Sequence, residues 1–453
     1  MPPKNLLSLP PGTRVLFACV PLDGHFNPLT GLAKYLSGQG CDVRWYTSIH
    51  YRPKTKALGH RHYPLTKAMD VNGDIDVLFP QRRKHRSQVA KLVHDLVEVF
   101  ILRSPEYYED IKDIRDEFPF DAMVCDIAFG GSLFVADKMK VPVFAMGIIP
   151  LTATSRDLPP PGLGMTPASG FWGRRRQDAL RFFADRVLFA KPNRVLRQVL
   201  RDHDIDAPGS NIFDIITRKA TRVLQSGVPG FEYERSDLGA NIRFVGAILP
   251  HRKGDASGSW FDARLDRYDS VVVVTQGTVE TDVEKLLVPT LEAFRGRDTL
   301  VVCTTGGSGT EVLRARFPEE NIIIEDFIPF DDIMPYADAY VTNGGYGGTL
   351  IAIDHKLPLV VAGVHEGKNE INARVGYFGV GVNLKTEKPR PEAIRDAVDQ
   401  VLRNPVYKAR VRRLSAEFDR YPTLPLCTHY LAELLAPASE SKHQPAIGEA
   451  HSH

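Results

Sequence analysis

The sequence predicts an α/β protein of two doubly wound, Rossmann-like domains facing each other across a cleft. Three observations carry that prediction. Short apolar runs alternate with segments of helical periodicity through the first half of the chain, and the second half repeats the scheme. Between them lies His251–Ser270, rich in Gly, Ser, Asp and Arg. Strands alternating with helices imply a mostly parallel sheet covered on both faces. A chain of 453 residues is also too long for one ordinary core. The expected division is a first domain over residues 1–248, a linker over 249–270, a second domain over 271–436 and a disordered tail over 437–453.

The elements follow in order. Arg14–Val20 reads as a buried strand, after which Leu29, Leu32, Ala33 and Leu36 recur at helical spacing. Pro28 suits the first turn of that helix, with Asn27 before it as N-cap. Cys41–Thr47 is the second strand, and Val89 to Phe100 has helical periodicity. Ala122–Cys125 and Val141–Met146 are strands on either side of a helix through Phe134 to Met139. Asp157–Gly173, with its Pro159-Pro160-Pro161 run, is an irregular insertion. In the second half Val271–Thr275 is a strand, and Val283, Leu286, Leu287, Leu291 and Phe294 mark the next helix. Thr299–Cys303, Asn321–Ile324, Ala339–Thr342 and Leu359–Ala362 are further strands, and a helix begins near Tyr346.

Composition narrows the classes. An apolar fraction of 43% with 25% charged residues is ordinary for a globular protein, and a net charge of +2 gives no reason to expect a nucleic-acid partner. Arg174-Arg175-Arg176 reads as a solvated face rather than a phosphate track. The five cysteines show no metal-like pairing; Cys19, Cys41, Cys125 and Cys303 lie in or beside apolar runs, as buried thiols of a reducing compartment do. No stretch has the apolar length of a membrane span, and the N-terminus lacks a signal-peptide pattern. A cytoplasmic protein without stable membrane insertion is expected. The sequence leaves its oligomeric state open.

Chemistry should sit in the loops after strands, because open parallel sheets bind ligands beyond their carboxyl ends. Asp23-Gly24-His25-Phe26-Asn27-Pro28 lies between strand one and helix one. His25 there stands beside the positive end of a helix dipole, which disfavours its protonation and suits a general base. Asp126, at the end of another strand, would orient the imidazole and stabilise the imidazolium, as the aspartate of hydrolase triads does. The alternative is that His25 bonds a backbone group and Asp126 caps the helix through Gly130–Met139. The second constellation is Thr342-Asn343-Gly344-Gly345-Tyr346-Gly347-Gly348-Thr349, again between a strand and a helix. Glycines admit close backbone approach, and free N–H groups at a helix start bind diphosphate. A second glycine cluster, Thr305-Gly306-Gly307-Ser308-Gly309, reads as a plain loop. Neither run has the spacing of a Gly-Lys-Ser/Thr phosphate loop or a dinucleotide fingerprint.

From Val15 to about Leu435 the chain resembles the nucleotide-sugar-dependent family-1 glycosyltransferases of the GT-B fold, and among them the bacterial macrolide-type enzymes. Gly24-His25-Phe26-Asn27-Pro28 matches the family's Gly-His-x-x-Pro around the catalytic base. Phe120–Asp126 matches the strand whose last aspartate pairs with that histidine. Val274-Thr275-Gln276-Gly277-Thr278 is similar to the strand whose end, here Gly277 and Thr278, lies beside the diphosphate. Phe327-Ile328-Pro329 is similar to the segment whose aromatic ring stacks on uracil, with Ile328 offering backbone bonds to the base. Asn343, Gly344, Gly345, Gly347, Gly348 and Thr349 fall on the diphosphate loop.

The chain also departs from the family. Asn343 stands where the loop usually opens with histidine; its amide still donates to phosphate in this reading. Ile351 replaces the glutamate with which plant members hold ribose. The sugar-holding Asp-Gln pair is replaced within His365-Glu366-Gly367-Lys368-Asn369-Glu370, falling on Gly367-Lys368 or Lys368-Asn369 according to register. Glu366, Lys368, Asn369 and Glu370 are the resulting donor-sugar candidates.

The resemblance implies an inverting hexosyltransferase that moves a sugar from a UDP-sugar or dTDP-sugar to a hydroxyl of an apolar small molecule, such as a polyketide, flavonoid or lipid-like alcohol. The nucleotide sugar is a co-substrate, and neither a cofactor nor a metal is expected. The acceptor pocket is assigned to Phe79, Phe129, Ile148, Leu151, Phe171 and Trp172, with the Pro-rich insertion as a mobile lid. A catalytically silent partner protein on the same scaffold and a sugar-nucleotide epimerase are the rival readings. A nicotinamide oxidoreductase is disfavoured, because the glycine run lies in the second half without the usual fingerprint.

Overall fold

A computed structural model of the chain describes residues 2–3, 5–207, 210–251, 260–277, 280–365 and 367–435. The expected tail and much of the expected linker lie outside the described residues. Seven parallel strands make the first sheet: β1 (Arg14–Ala18), β2 (Asp42–Tyr46), β3 (Arg61–Tyr63), β4 (Ala122–Asp126), β5 (Val143–Gly147), β6 (Arg222–Ser226) and β7 (Ile242–Gly246). Their spatial order is β3-β2-β1-β4-β5-β6-β7. Six parallel strands make the second: β8 (Val271–Thr275), β9 (Leu300–Thr304), β10 (Ile322–Glu325), β11 (Ala339–Thr342), β12 (Leu359–Val361) and β13 (Gly381–Asn383), ordered β10-β9-β8-β11-β12-β13.

Alternation within the strands explains why both sheets are covered on two sides. Leu16, Ala18, Met123 and Cys125 enter one core, while Val15, Phe17, Ala122 and Val124 enter the core behind it. In the second sheet Val271 and Val273 face one core, and Val272 and Val274 the other. Strand order reverses between β1 and β4 and again between β8 and β11. A crevice opens at such switch points. Both motif-bearing pairs of loops lie there.

Several sequence expectations need correction. The first helix is Asp23–Gly38, so Asn27 is not its cap and Pro28 lies inside it. The His25 and Phe26 amides both bond the Leu22 carbonyl, at 2.9 Å each, and Asp23 complements the positive helix end. The helix expected from Val283 is Leu287–Phe294, with Pro289 in its first turn, where a missing N–H costs nothing. Strands β3, β6, β7 and β13 were not anticipated. The division at 271–436 also changes, because the last described helix, Thr423–Leu435, packs Leu426, Cys427, Tyr430 and Leu431 into the first-domain core. Arg222–Glu433 (3.2 Å) and a bond from the Leu7 amide to His429 Nδ1 (3.0 Å) hold it there.

All five cysteines are buried and free. Among the described residues no helix is long and apolar enough to cross a membrane.

Two histidines of the first domain, buried His60 and half-buried His62, are held as weak bases. Trp45 Nε1 donates to His60 Nδ1 at 3.1 Å, so His60 Nε2–H donates to Ser37 Oγ at 3.0 Å. Burial, with Lys34 and His251 nearby, pushes His60 down to about 4; burial and Arg52 push His62 down to about 4. In the unfolded chain both take up a proton near pH ~6.5. The unfolded state then binds more protons, so stability falls as pH drops from ~6.5 towards 4 and levels off below that. Thermal unfolding across this window should show the melting temperature falling, with a shallower slope in His60→Gln. A flat profile in the parent chain contradicts the assignment.

Candidate active site

Asp126, the last residue of β4, is completely buried, and three donors converge on it. Its Oδ2 accepts from the Val20 amide at 2.8 Å. Its Oδ1 accepts from the Ala128 amide at 2.8 Å and faces His25 Nδ1 at 2.8 Å. These bonds join the loop after β1 to the loop after β4 and fix the carboxylate. His25, in the first turn of its helix, keeps its side chain 18% exposed. With the Nδ1 proton directed at Asp126, the Nε2 lone pair is the free base of the neutral ring. The alternative of Asp126 as a helix cap does not hold. The next helix starts at Gly131, with Gly130 at its N-cap and no side chain accepting from its first amides.

Around this pair the acceptor expectations need revision. Phe129 is fully buried, with its ring 4.8 Å from Tyr107, and Ile148 and Leu151 are core residues of the sheet faces. Phe171 and Trp172 are 63% and 81% exposed. Phe79 is half-buried beside His94, at a centroid distance of 6.0 Å. The sequence missed Phe100, half-buried and 6.5 Å from the His25 ring, and the adjacent Leu22, Ile75 and Ile127, which pack partly buried on the same core. A cavity of about 570 Å³ lies under the insertion, but its walls include Asn241 and Ile242 at the start of β7. That is the end of the sheet opposite Asp126, so this cavity is not the catalytic chamber.

In the second domain the glycines divide into two kinds. A Cβ on Gly344 (φ +93°) would lie 1.9 Å from Asn372 Oδ1, and one on Gly348 would lie 3.0 Å from the Tyr340 hydroxyl. These two glycines permit close packing. Gly345 and Gly347 have open space where a Cβ would stand, as has Gly277. The helix Tyr346–Asp354 begins there, and the amides of 346–348 have no preceding turn to bond. Thr349 is committed to this start, with both its amide and its hydroxyl on the Gly345 carbonyl at 2.9 Å. Asn343 Nδ2 donates to the Gln276 carbonyl, clasping the loop after β11 to the loop after β8. An amide nitrogen carries two protons, so this bond leaves one for the expected phosphate contact. Phe327 is 65% exposed and its ring stands over Gly307, so the glycine cluster read as a plain loop forms the rim beside it. Ile328 is buried in the core. Thr278 and Glu366 lie outside the described residues.

The helix Lys368–Phe378 carries the remaining donor candidates, and they meet the first domain. Asn369 Nδ2 donates to the Gly162 carbonyl at 3.2 Å, and the Gly164 amide donates to Glu370 Oε1 at 2.9 Å. The Pro-rich insertion is therefore tied down at its tip, and at its base by the Ser236 amide on Asp157 (2.6 Å). Behind this contact Arg374, 2% exposed, donates to Glu370 Oε2 at 3.1 Å and to Glu232 Oε1 at 2.7 and 3.2 Å. Glu232 Oε2 in turn accepts from the Leu151 amide at 3.1 Å. Burial works against the guanidinium charge, but Glu232 and Glu370 outweigh it and hold the group more basic than usual. Tyr346, also unforeseen, donates its hydroxyl to the Ser226 carbonyl at 2.9 Å across the same boundary.

Comparison with known proteins agrees with this geometry. Residues 290–433 match the family model of the erythromycin biosynthesis protein CIII-like C-terminal domain. The chain is 36% identical over 415 residues to 4'-demethylrebeccamycin synthase of Lentzea aerocolonigenes, covering 90% of this chain and 96% of that protein. It is 29% identical over 440 residues to UDP-glucosyltransferase 1 of Beauveria bassiana, covering 90% and 92%. Among solved structures, the calicheamicin glycosyltransferase CalG4 superposes with a TM-score of 0.73 at 20% identity, covering 94% of this chain and 99% of that one. Two sheets of this topology, closed on each other in this way, are the GT-B fold. The chain belongs to the family-1 nucleotide-sugar glycosyltransferases. It is a sugar-transferring enzyme, and the silent-partner and epimerase readings are not favoured.

Removing one member of a buried ion pair strands the other, at a cost of about 3–5 kcal/mol. Arg374→Met should therefore lower unfolding free energy by about that amount. Adding Glu232→Gln to it should recover part of the loss. Urea unfolding of the three proteins checks this, and parent-like stability of Arg374→Met contradicts it.

Proposed function

We propose that the enzyme moves a sugar from UDP or dTDP to a hydroxyl of an apolar small molecule in a single inverting displacement. The observation that carries the proposal is the His25–Asp126 pair at 2.8 Å on one switch point, with a glycine-opened helix start on the other. His25 Nε2 takes the acceptor proton as its oxygen bonds to the anomeric carbon. The anomeric carbon–oxygen bond to the diphosphate breaks on the opposite face. Asp126 stabilises the imidazolium, and the amides of 346–348 meet the charge that develops on the leaving phosphate. In this reading helix amides do the work of a cation, so neither a metal nor a further cofactor is required.

The names of similar proteins support the substrate classes. Relatives include UDP-glucosyltransferases and a rebeccamycin-type synthase, and the structurally similar VinC (TM-score 0.64, 17% identical) was solved in complex with dTDP. The acceptor would lie against half-buried Phe100, whose ring is 6.5 Å from that of His25, with Phe79 partly buried on the same core, so an apolar body would meet the base. Gly277, Gly345 and Gly347 leave room for the diphosphate, Phe327 offers its open ring to the nucleotide base, and Asn369 and Glu370 face the sugar. Five buried thiols suit a reducing, cytoplasmic setting.

A positioned base contributes about 10²–10⁴-fold to such a reaction. His25→Ala should lower turnover on an aliphatic alcohol by that factor, with calorimetric UDP affinity and melting temperature near those of the parent. Asp126→Asn should lose less, and the double variant should be little worse than His25→Ala, since the pair acts as one unit. Full activity of His25→Ala on such an acceptor refutes the base assignment.

Asn369→Ala should change the ratio of rates between UDP-sugars while leaving UDP affinity unaltered. A donor panel read by mass spectrometry checks this, and equal losses for every donor would remove Asn369 from sugar selection.

A further inference from the structure

The helix Gly170–Phe183 and the π-helical turn Ala184–Leu188 that continues it bury Ala184 and half-bury Leu180 and Leu188, yet leave their largest apolar side chains in solvent. A surface helix normally buries an apolar stripe and wets a polar one. Here Gln177 is buried, accepting from the Ala168 amide at 3.0 Å, and half-buried Arg181 donates to the Leu158 carbonyl at 2.7 Å. Solvent meets Trp172 (81% exposed), Phe182 (68%), Phe171 (63%), Val187 (58%) and Phe183 (48%). Positions 172, 176, 179, 183 and 187 form one row at helical spacing, and 171, 175, 182 and 186 form the row beside it. The apolar groups therefore form two clusters on one side of the segment, Phe171 with Trp172 (ring centres 5.3 Å apart) at its start and Phe182, Phe183 and Val187 at its end. Arg175 and Arg176 lie between them, and the whole patch runs over roughly 25 Å at ~1.5 Å per residue. Cations ride on it. Arg174, Arg175, Arg176 and Arg186 are all exposed, and the Arg175 and Arg186 guanidinium groups lie 5.3 and 5.8 Å from the Phe171 and Phe182 ring centres. Of the two exposed acids on the segment, Asp185 pairs with Arg186 at 3.6 Å and Asp178 with Arg181 at 2.5 Å, leaving Arg174–Arg176 as the net positive charge.

The occupant must be apolar where the rings are and anionic where the arginines are. A small acceptor is too short for the patch. A second copy docked through the same face would set each arginine row against itself. A bilayer surface containing anionic lipid supplies both chemistries in one plane, with acyl chains for the rings and phosphates for the guanidinium groups. The geometry points to this helix as a reversible docking face for an anionic lipid surface, lying in the interface without crossing it. This surface stands apart from the His25–Asp126 pair, so the inference does not depend on the sugar reaction.

The full chain is tested by flotation with vesicles of phosphatidylcholine, alone or mixed with phosphatidylglycerol. Trp172 is the reporter, because Trp45 is fully buried and Trp260 half-buried. The expected result is co-flotation with the mixed vesicles, a blue shift of tryptophan emission, and weakening by salt. Arg174→Ser, Arg175→Ser and Arg176→Ser together should weaken partitioning by about a hundredfold. Phe182→Ser with Val187→Ser should weaken it at least about tenfold. Both variants change exposed side chains only and should melt with the parent chain. The inference is overturned if the parent stays out of mixed vesicles or floats equally with phosphatidylcholine alone. It is also overturned if both variants bind undiminished, or if sedimentation velocity shows a dimer that Phe182→Ser with Val187→Ser dissolves.

Discussion

Arg374 is a full positive charge almost wholly removed from water, and the alignment of the two half-sites depends on how that charge is met. Its guanidinium spans from Glu370, on the helix Lys368–Phe378, to Glu232 of the first domain. Glu232 then holds the Leu151 amide, at the start of the segment leading to the insertion. A buried ion pair is weak evidence for net stability, since desolvation consumes most of its Coulombic gain. Its directional bonds do specify geometry. A displacement reaction needs the nucleophile, the anomeric carbon and the leaving group in line, while base and donor loop belong to different sheets. The Arg374 bridge, the Tyr346 hydroxyl on Ser226 and the Gly164–Glu370 bond together fix one relation between the sheets.

Within each domain the same economy recurs. Polar residues at the carboxyl ends of central strands hold together the loops that follow. Asp126 binds Val20 and Ala128 as well as His25. Asn343 clasps Gln276, and Asn372, fully buried, reaches back to the Gly363 and Asn343 carbonyls at 2.9 and 3.3 Å. Gly344 can be nothing else, because its φ is +93° and Asn372 fills the space of a side chain. The loop was marked in the sequence by its glycines, yet half of them serve packing rather than ligand approach.

Much of the fold was legible because buried parallel strands read as apolar runs. β8, Val271–Thr275, has four consecutive valines and was bounded correctly. β3 (Arg-His-Tyr) and β13 (Gly-Val-Asn) are three-residue edge strands with little apolar content, so periodicity had nothing to register. The His25–Asp126 pairing was legible because one residue follows β1 and the other ends β4, at a switch point. The acceptor side was not: Phe129 and Leu151 carry the same apolar signal whether they line a chamber or fill a core, and only packing decides. The Arg374 bridge was invisible for a different reason. Its partners lie 142 and 4 residues away, and no local pattern announces a contact of the first kind. The same limit hid the return of Thr423–Leu435 to the first domain.

The central claim is a single displacement across the cleft, with a base on one sheet and a leaving group held by the other. The most direct test is the anomeric configuration of the product, read from the proton coupling constant by nuclear magnetic resonance. With an α-linked UDP-glucose donor and an aliphatic alcohol acceptor, direct attack opposite the diphosphate predicts a β-glucoside. An α-glucoside formed under the same conditions would require a different course and would contradict the account.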